Sequence, residues 1–374
     1  MLCAVESKNI RQIHSTNTLT QTAFWAHVKQ AQGFEPYAFQ IAATNDLVSP
    51  DNDGHEKICD DLLVLVRYIN NDYCFAYIPY GPKVQPDFEN YGVFLEELSE
   101  ALRPRLPNDC ILIRYDLPWK NQWAAEDDYY DHNGNWIGPP SVSSQELRLN
   151  INTQKWNLQK SPSDILPANT FFLDLKQEED MLMQKMKSKT RYNIRLSFRK
   201  GIRVQEYGPE KLEEWYSLYR ETAIRNNLTL HHKNYFKSIL SNRQKSGKGV
   251  RSKLLMADFE GEFLAAMFLL FSRNRGTYLY GASSSSKRNL MATYAIQWEA
   301  IKRTREAGFK EYDMFGSAPN LSPSHPMHGL YRFKSGFGGR LFHRMGCWDY
   351  PLATDEYRVF KSQEVNSQKY YHGK

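Results

Sequence analysis

A chain of 374 residues exceeds one ordinary domain and suits two, at ~150 residues each. Apolar residues at 41% and charged residues at 24% can build packed cores. The 23 Tyr, 20 Phe and 8 Trp exclude disorder as the dominant state, and a net charge of +6 excludes a histone-like binder while leaving room for one concentrated basic face.

In the first half, Leu62 to Tyr68 and Tyr73 to Ile78 read as a hairpin closed at Asn70 to Asp72 and ending in Tyr80-Gly81-Pro82. Phe88 to Leu102 reads as a helix, and Cys110 to Tyr115 as a strand ending in Tyr115-Asp116. The polar segment Ser143 to Pro167, with Ser161-Pro162, marks a domain boundary.

The second half repeats this order. A helix opens at Pro209, with Leu212, Trp215, Tyr216, Tyr219 and Ala223 as its apolar stripe. Leu254 to Phe259 and Phe263 to Phe271 form a hairpin around Glu260-Gly261, and Thr277 to Ala282 follows as a third strand. Asn289 to Glu306 is a helix and Glu311 to Phe315 a strand. Each half thus runs hairpin, helix, strand, with Tyr-Gly and Tyr-Asp dipeptides 35 residues apart in the first and 32 in the second. A duplicated α+β domain is expected, its order resembling the core of GNAT-type acyltransferases.

Lys185 to Arg203 carries eight basic side chains and no acidic one. Lys187, Arg191, Arg195 and Arg199 recur every four residues, so a helix would align them in one stripe. Like charges at that spacing cost a few tenths of a kcal/mol per pair, which an anionic partner would offset. Phosphates of RNA or of a lipid headgroup both fit, and Arg220, Arg225, Lys233 and the cluster from Lys245 to Lys253 would extend the face.

The five cysteines are scattered, with no C-x-x-C pair, against a disulfide framework or thiolate zinc site. Met1 to Gln12 reaches Glu6 without an apolar stretch, so no secretory leader is expected. The longest apolar run, Phe263 to Phe271, is nine residues against the ~20 that span a bilayer. Pro323 and Pro326 break the helix that His325 and His328 would need as a ligand pair, so no metal is expected.

Several segments together resemble the Fem family of peptidoglycan interpeptide-bridge aminoacyltransferases: Phe24-Trp25 with Val28-Lys29, Tyr77 to Val84 (YIPYGPKV), Phe172 to Leu175, and the basic segment itself. Tyr278 to Ser284 (YLYGASS), Met291 to Ala300 (MATYAIQWEA) and Gly329 to Gly339 (GLYRFKSGFGG) complete the set. The resemblance implies two tandem GNAT-like subdomains with mixed sheets, residues 1–165 and 166–342, and a C-terminal segment, 343–374, returning to the first. The short interval from Tyr235 to Lys253 implies no long coiled-coil arm.

The implied reaction moves an amino acid from aminoacyl-tRNA to the side-chain amine of a peptidoglycan precursor's stem peptide, the precursor being lipid-linked or nucleotide-linked. It needs no cofactor. By the same resemblance Lys334, with Phe333, serves catalysis, and the glycines Gly336 to Gly339 would allow backbone to approach a ligand. Lys29, Tyr235 and Tyr280 would hold the precursor, and Lys187, Arg191, Arg195 and Arg199 the tRNA. His231 stands where the family would place an arginine contact, a departure that leaves the acceptor's identity open. Asp116 is a candidate general base or a cap. A cytoplasmic monomer is expected, with peripheral contact at the inner membrane face left open. The rivals are an acyl-CoA-dependent enzyme, disfavoured by the glycine-free loop Ser283 to Asn289, and a non-catalytic RNA- or lipid-binding protein.

Overall fold

The computed structural model describes residues 2–44, 57–70, 72–121, 153, 157–241 and 249–372. Most of the expected linker and residues 245–248 of the basic cluster lie outside these. In chain order the elements begin with β1 (Leu2–Lys8), α1 (Ala23–Gln30), β2 (Glu35–Thr44), β3 (Lys57–Tyr68) and β4 (Cys74–Ile78). Next come α2 (Tyr91–Leu102), β5 (Cys110–Lys120), β6 (Gln159–Lys160), β7 (Asn169–Asp174), α3 (Glu179–Lys185), α4 (Ser188–Arg199) and β8 (Arg203–Tyr207). The remainder are α5 (Leu212–Arg225), α6 (Lys233–Ser241), β9 (Arg251–Phe259), β10 (Glu262–Ser272), β11 (Arg275–Ser283), α7 (Ala292–Glu306), β12 (Glu311–Gly316), α8 (His328–Ser335), β13 (Arg340–Pro351) and α9 (Thr354–His372).

Residues 1–14, 33–168 and 343–374 form one unit, and 15–32 with 169–342 the other. In the first, β1 through β4 pair antiparallel in sequence, β4 pairs parallel with β5 across α2, and β5 pairs antiparallel with β13. α2 packs through Tyr91, Phe94, Leu95, Leu98 and Leu102, one face at helical spacing, each such burial being worth about 1.5–3 kcal/mol. The C-terminal segment is held electrostatically as well as by β pairing. The guanidinium of Arg114 donates to Asp349 at 2.7 and 2.8 Å and to Glu364 on α9 at 2.9 and 2.8 Å.

The second unit repeats the pattern: β8 to β11 antiparallel, β11 parallel with β12 across α7, and β12 antiparallel with β7. Both units are therefore GNAT-like mixed sheets crossed by a helix. Among the described residues there is no coiled-coil arm, and no helix is long and apolar enough to cross a membrane.

The division differs from the expected 1–165 in two respects: the boundary falls after residue 168, and residues 15–32 belong with the second unit. Hydrogen bonds explain the placement of residues 15–32. Ser272 donates its hydroxyl to the carbonyl of Thr16, and the amide of Asn274 donates to the side chain of Asn17 at 3.1 Å, fixing the segment to the β10–β11 turn. Thr22 then caps α1, accepting from the Trp25 amide at 3.3 Å.

Candidate active site

The second unit carries two groups of candidate side chains joined by β11. β11 pairs with β12 only from Arg275 to Thr277, then diverges. Against β10 its register shifts by one residue, with Tyr278 opposite Leu269, Tyr280 opposite Phe268, and Leu279 extra between them. Such a bulge bends a strand and re-aims its side chains, here Tyr278 and Tyr280.

The first group gathers around Tyr280. Its hydroxyl lies 2.7 Å from that of Tyr235 on α6, and the rings of Tyr235 and Tyr280 stand 5.0 and 5.8 Å from the imidazole of His231. The Lys29 amine on α1 sits 5.5 Å from the Tyr235 ring and 5.2 Å from that of Trp25, and donates to Gln32 at 2.8 Å. Lys29, His231, Tyr235 and Tyr280, far apart in sequence, are thus brought together. The cage is aromatic with one ammonium at its side, an arrangement that favours a cation's retention and presents it to an anion. Burial pushes both tyrosine pKa values up, so both stay neutral hydroxyls. Burial first, then Lys29, lowers that of His231, which favours the neutral ring. Behind the cage, Trp215 stacks on Tyr219 at 5.0 Å and meets Phe236 at 4.2 Å and Phe268 at 4.7 Å, which accounts for part of the aromatic surplus.

The second group is centred on Lys334, only 3% exposed. Its amine donates to the carbonyls of Met314, Phe315 and Gly316 at 2.6, 3.1 and 2.6 Å, and lies 5.1 Å from the Tyr278 ring. These carbonyls belong to the part of β12 that β11 has left, so the lysine fills the wedge between the diverging strands. An ammonium has three N–H donors, and all three are used. Burial lowers its pKa to about 7, with Asp313 opposing the shift. In this geometry the amine is directed at backbone, its donors given to the three carbonyls of the strand end. Phe333 likewise packs, between Tyr294 at 5.1 Å and Phe337 at 5.2 Å.

The glycines after Lys334 approach the protein itself, where a ligand was expected. A Cβ on Gly336 would stand 2.3 Å from the Thr190 hydroxyl of α4, and one on Gly338, whose φ is +78°, 2.7 Å from the Lys185 carbonyl. The Lys187 amide donates to the Gly336 carbonyl at 2.9 Å and its amine to Ser335 at 3.1 Å. The basic helix is thereby joined to the Lys334 helix.

The basic stripe divides in two. Lys187 makes the contacts just named, and Arg191 donates to the carbonyls of Gln184 and Met186, closing the end of α3. Arg195 and Arg199 are exposed and make no ion pair among the described residues. With Ser188, Arg191 and Tyr192 they line a hollow of about 400 Å³. Tyr192, 57% exposed, was missed by sequence reasoning; an aromatic inside a basic helix was the available signal.

Asp116 lies in the first unit and is fully buried. It accepts from the Tyr77 hydroxyl at 2.9 Å and the Leu166 amide at 3.0 Å, and burial raises its pKa to about 6. Its second oxygen has no partner among the described residues. Enclosure of this kind makes it a brace between β5 and the segment before β7. His325 and His328 serve loop geometry, His325 accepting from the Met327 amide at 3.0 Å and His328 lying 3.1 Å from the Ser322 carbonyl.

A sequence model of the FemAB family matches residues 2–260 and 248–364. Lipid II:glycine glycyltransferase of Staphylococcus epidermidis is 22% identical over 404 aligned positions, 92% of this chain and 91% of that one. The protein of the same name from Staphylococcus haemolyticus is 22% identical over 258, covering 53% of this chain but 62% of that protein's length. Among solved structures, that of FemX superposes with a TM-score of 0.70 at 18% identity, over 96% of this chain and all of that one, a likeness of fold.

Proposed function

The chain belongs to the FemAB family, and on that premise we propose that it moves an amino acid from aminoacyl-tRNA to the side-chain amine of a lipid-linked peptidoglycan precursor's stem peptide. It is a transferase that forms an amide bond. The observation that carries the reading is the meeting of Lys29, His231, Tyr235 and Tyr280 around the β11 bulge.

In the reaction the neutral amine attacks the ester carbonyl of the aminoacyl group. The carbon–nitrogen bond forms, the ester bond breaks, and the electron pair leaves on the ribose oxygen of tRNA, which takes a proton. Lys29 supplies the positive charge for the acceptor's phosphate, with the two tyrosine hydroxyls as hydrogen-bonding partners. His231, favouring the neutral form beside Lys29, contributes a hydrogen bond and not a second charge, which replaces the bidentate grip an arginine would give. Lys334 acts as a positioning residue, holding open the strand end through its three carbonyls. Arg195, Arg199 and Tyr192 receive the tRNA, the arginines on phosphate and the tyrosine on a base.

The acyl-CoA alternative has less support. The loop after β11 has no glycine run, and its serines are tied down by Glu221, which accepts from the Ser285 amide, and by Arg225, which donates to the Ser283 carbonyl at 3.0 Å. The test is purified chain with a mixture of charged tRNAs and lipid-linked precursor, read by mass. The expected product carries one added aminoacyl residue and vanishes with ribonuclease. Acylation from an acyl-CoA without tRNA would overturn the proposal.

A further inference from the structure

We propose that the end of α5 and the turn that follows it, Ile224 to Leu230, form a peripheral docking surface for an anionic phospholipid membrane. The inference rests on the reading of the neighbouring His231–Tyr235 cluster as the site for a lipid-linked acceptor.

Every residue from Ile224 to Leu230 is exposed, and three are large aliphatics: Ile224 at 74%, Leu228 at 56% and Leu230 at 42%. The turn itself is built firmly. The Leu228 amide donates to the Ala223 carbonyl at 2.9 Å and that of Asn227, whose φ is +51°, to the Ile224 carbonyl at 3.4 Å. That is the paired bonding of a Schellman ending, which ordinarily folds its final apolar side chain back on the helix. Here Leu228 instead stays more than half exposed, so a fixed backbone presents aliphatic side chains outward at a free-energy cost. Scattered single exposed apolar residues are ordinary, whereas three within seven residues of an ordered turn mark a contact surface.

Charge selects the partner. From Arg220 to Lys237 the chain carries Arg220, Arg225, Lys233 and Lys237 against one acid, Glu221; Arg225 is held by Glu221 and the serine loop, and Lys233 by Glu213 of α5. Arg220, one helical turn before Ile224, and Lys237 are exposed and make no ion pair among the described residues. Aliphatics flanked along the chain by the exposed cations Arg220 and Lys237 match the acyl boundary and headgroups of an anionic leaflet. RNA is the poorer match, since bases want aromatic or planar partners; this turn has no aromatic side chain, and its one guanidinium, Arg225, is bonded to Ser283, unlike the Tyr192 face of α4. The turn runs directly into His231, four residues before Tyr235, so docking would bring the cluster to the surface on which the acceptor is anchored.

The experiment pellets the full chain with vesicles of equal phosphatidylglycerol and phosphatidylcholine, and with phosphatidylcholine alone. Wild type should favour the anionic vesicles, in a salt-sensitive way. Ile224→Ser/Leu228→Ser/Leu230→Ser should lower that partition about tenfold or more, with an unchanged thermal melt. Lys237→Glu should weaken anionic binding and flatten its salt dependence. In parallel, transfer to a water-soluble nucleotide-linked precursor should be the same in the triple variant and wild type, while transfer to vesicle-borne precursor falls. A wild type that stays in the supernatant, a triple variant that pellets like wild type, or a triple variant altered only in self-association or RNA binding overturns the proposal. Vesicle binding that depends on the turn, from a chain that transfers to no precursor, would uphold the surface and sink the functional reading.

Discussion

Replacing Lys334 with methionine keeps the length of the buried stem and deletes the amine that three carbonyls share. A buried carbonyl without a partner costs about 1–3 kcal/mol, and removal of a buried cation returns part of that sum. A net loss of about 2–5 kcal/mol is expected, which at about 2–4 °C per kcal/mol lowers Tm by about 5–15 °C. The pH dependence gives a second handle. Folding holds the lysine's pKa near 7, below the 10.5 of an exposed lysine. Between those values the unfolded chain binds the extra proton, so wild-type stability rises with pH, by at most about 1.4 kcal/mol per unit, and the methionine variant lacks this slope. The assay is urea denaturation and thermal melting at several pH values from about 6 to 10, beside the tRNA-dependent transfer assay. A variant as stable as wild type at every pH, yet about a thousandfold slower in transfer, would refute the reasoning: the amine would then be acting on substrate and not on the strand end.

Three further outcomes follow from the geometry. Tyr280→Phe leaves the Tyr235 hydroxyl without its 2.7 Å partner, and should raise KM for the precursor about tenfold with kcat changed less; steady-state kinetics decide it, and an unchanged KM removes Tyr280 from the site. Arg195→Glu/Arg199→Glu should weaken tRNA binding and reduce the slope of log affinity against log salt by about 0.7–0.9 for each phosphate no longer neutralised, whereas Arg191→Ala, which uncaps α3, should chiefly lower stability; filter binding over a salt series and a melt separate the two. Asp116→Asn should keep transfer intact. Because burial raises the folded pKa of Asp116 to about 6, wild type loses stability as pH climbs from about 4 to 6, and the asparagine chain should show a flatter profile there by denaturation midpoint; a large fall in kcat would restore a catalytic role.

Repeats of element order and of the Tyr-Gly and Tyr-Asp dipeptides made the two sheets legible before any coordinates, since hydrophobic period and turn residues are local signals. Ownership of residues 15–32 was not legible, because it rests on the side chains of Asn17 and Ser272, more than 250 residues apart. The basic stripe was legible as four equal positions. That Arg191 is spent on backbone while Arg195 is not depends on where α3 ends, which spacing alone does not encode. The pattern around Lys334 was legible, but what it touches was not. Gly336 and Gly338 yield to α4 and to the end of α3, and the lysine faces inward to carbonyls set loose by a divergence of strands. The Lys29, Tyr235 and Tyr280 meeting was available only through resemblance, because side chains on α1, α6 and β11 converge only after folding.

The pairing of β13 with β5 sets an order of events during synthesis. The first sheet lacks its closing strand until Arg344 to Pro351 have been made, and Arg114 has no counter-ion until Asp349 arrives, 235 residues later. The second unit has all of its segments, 15–32 and 169–342, before that point. On the ribosome the part translated first is therefore the last to finish folding, and for most of translation its β5 edge is open to any passing strand.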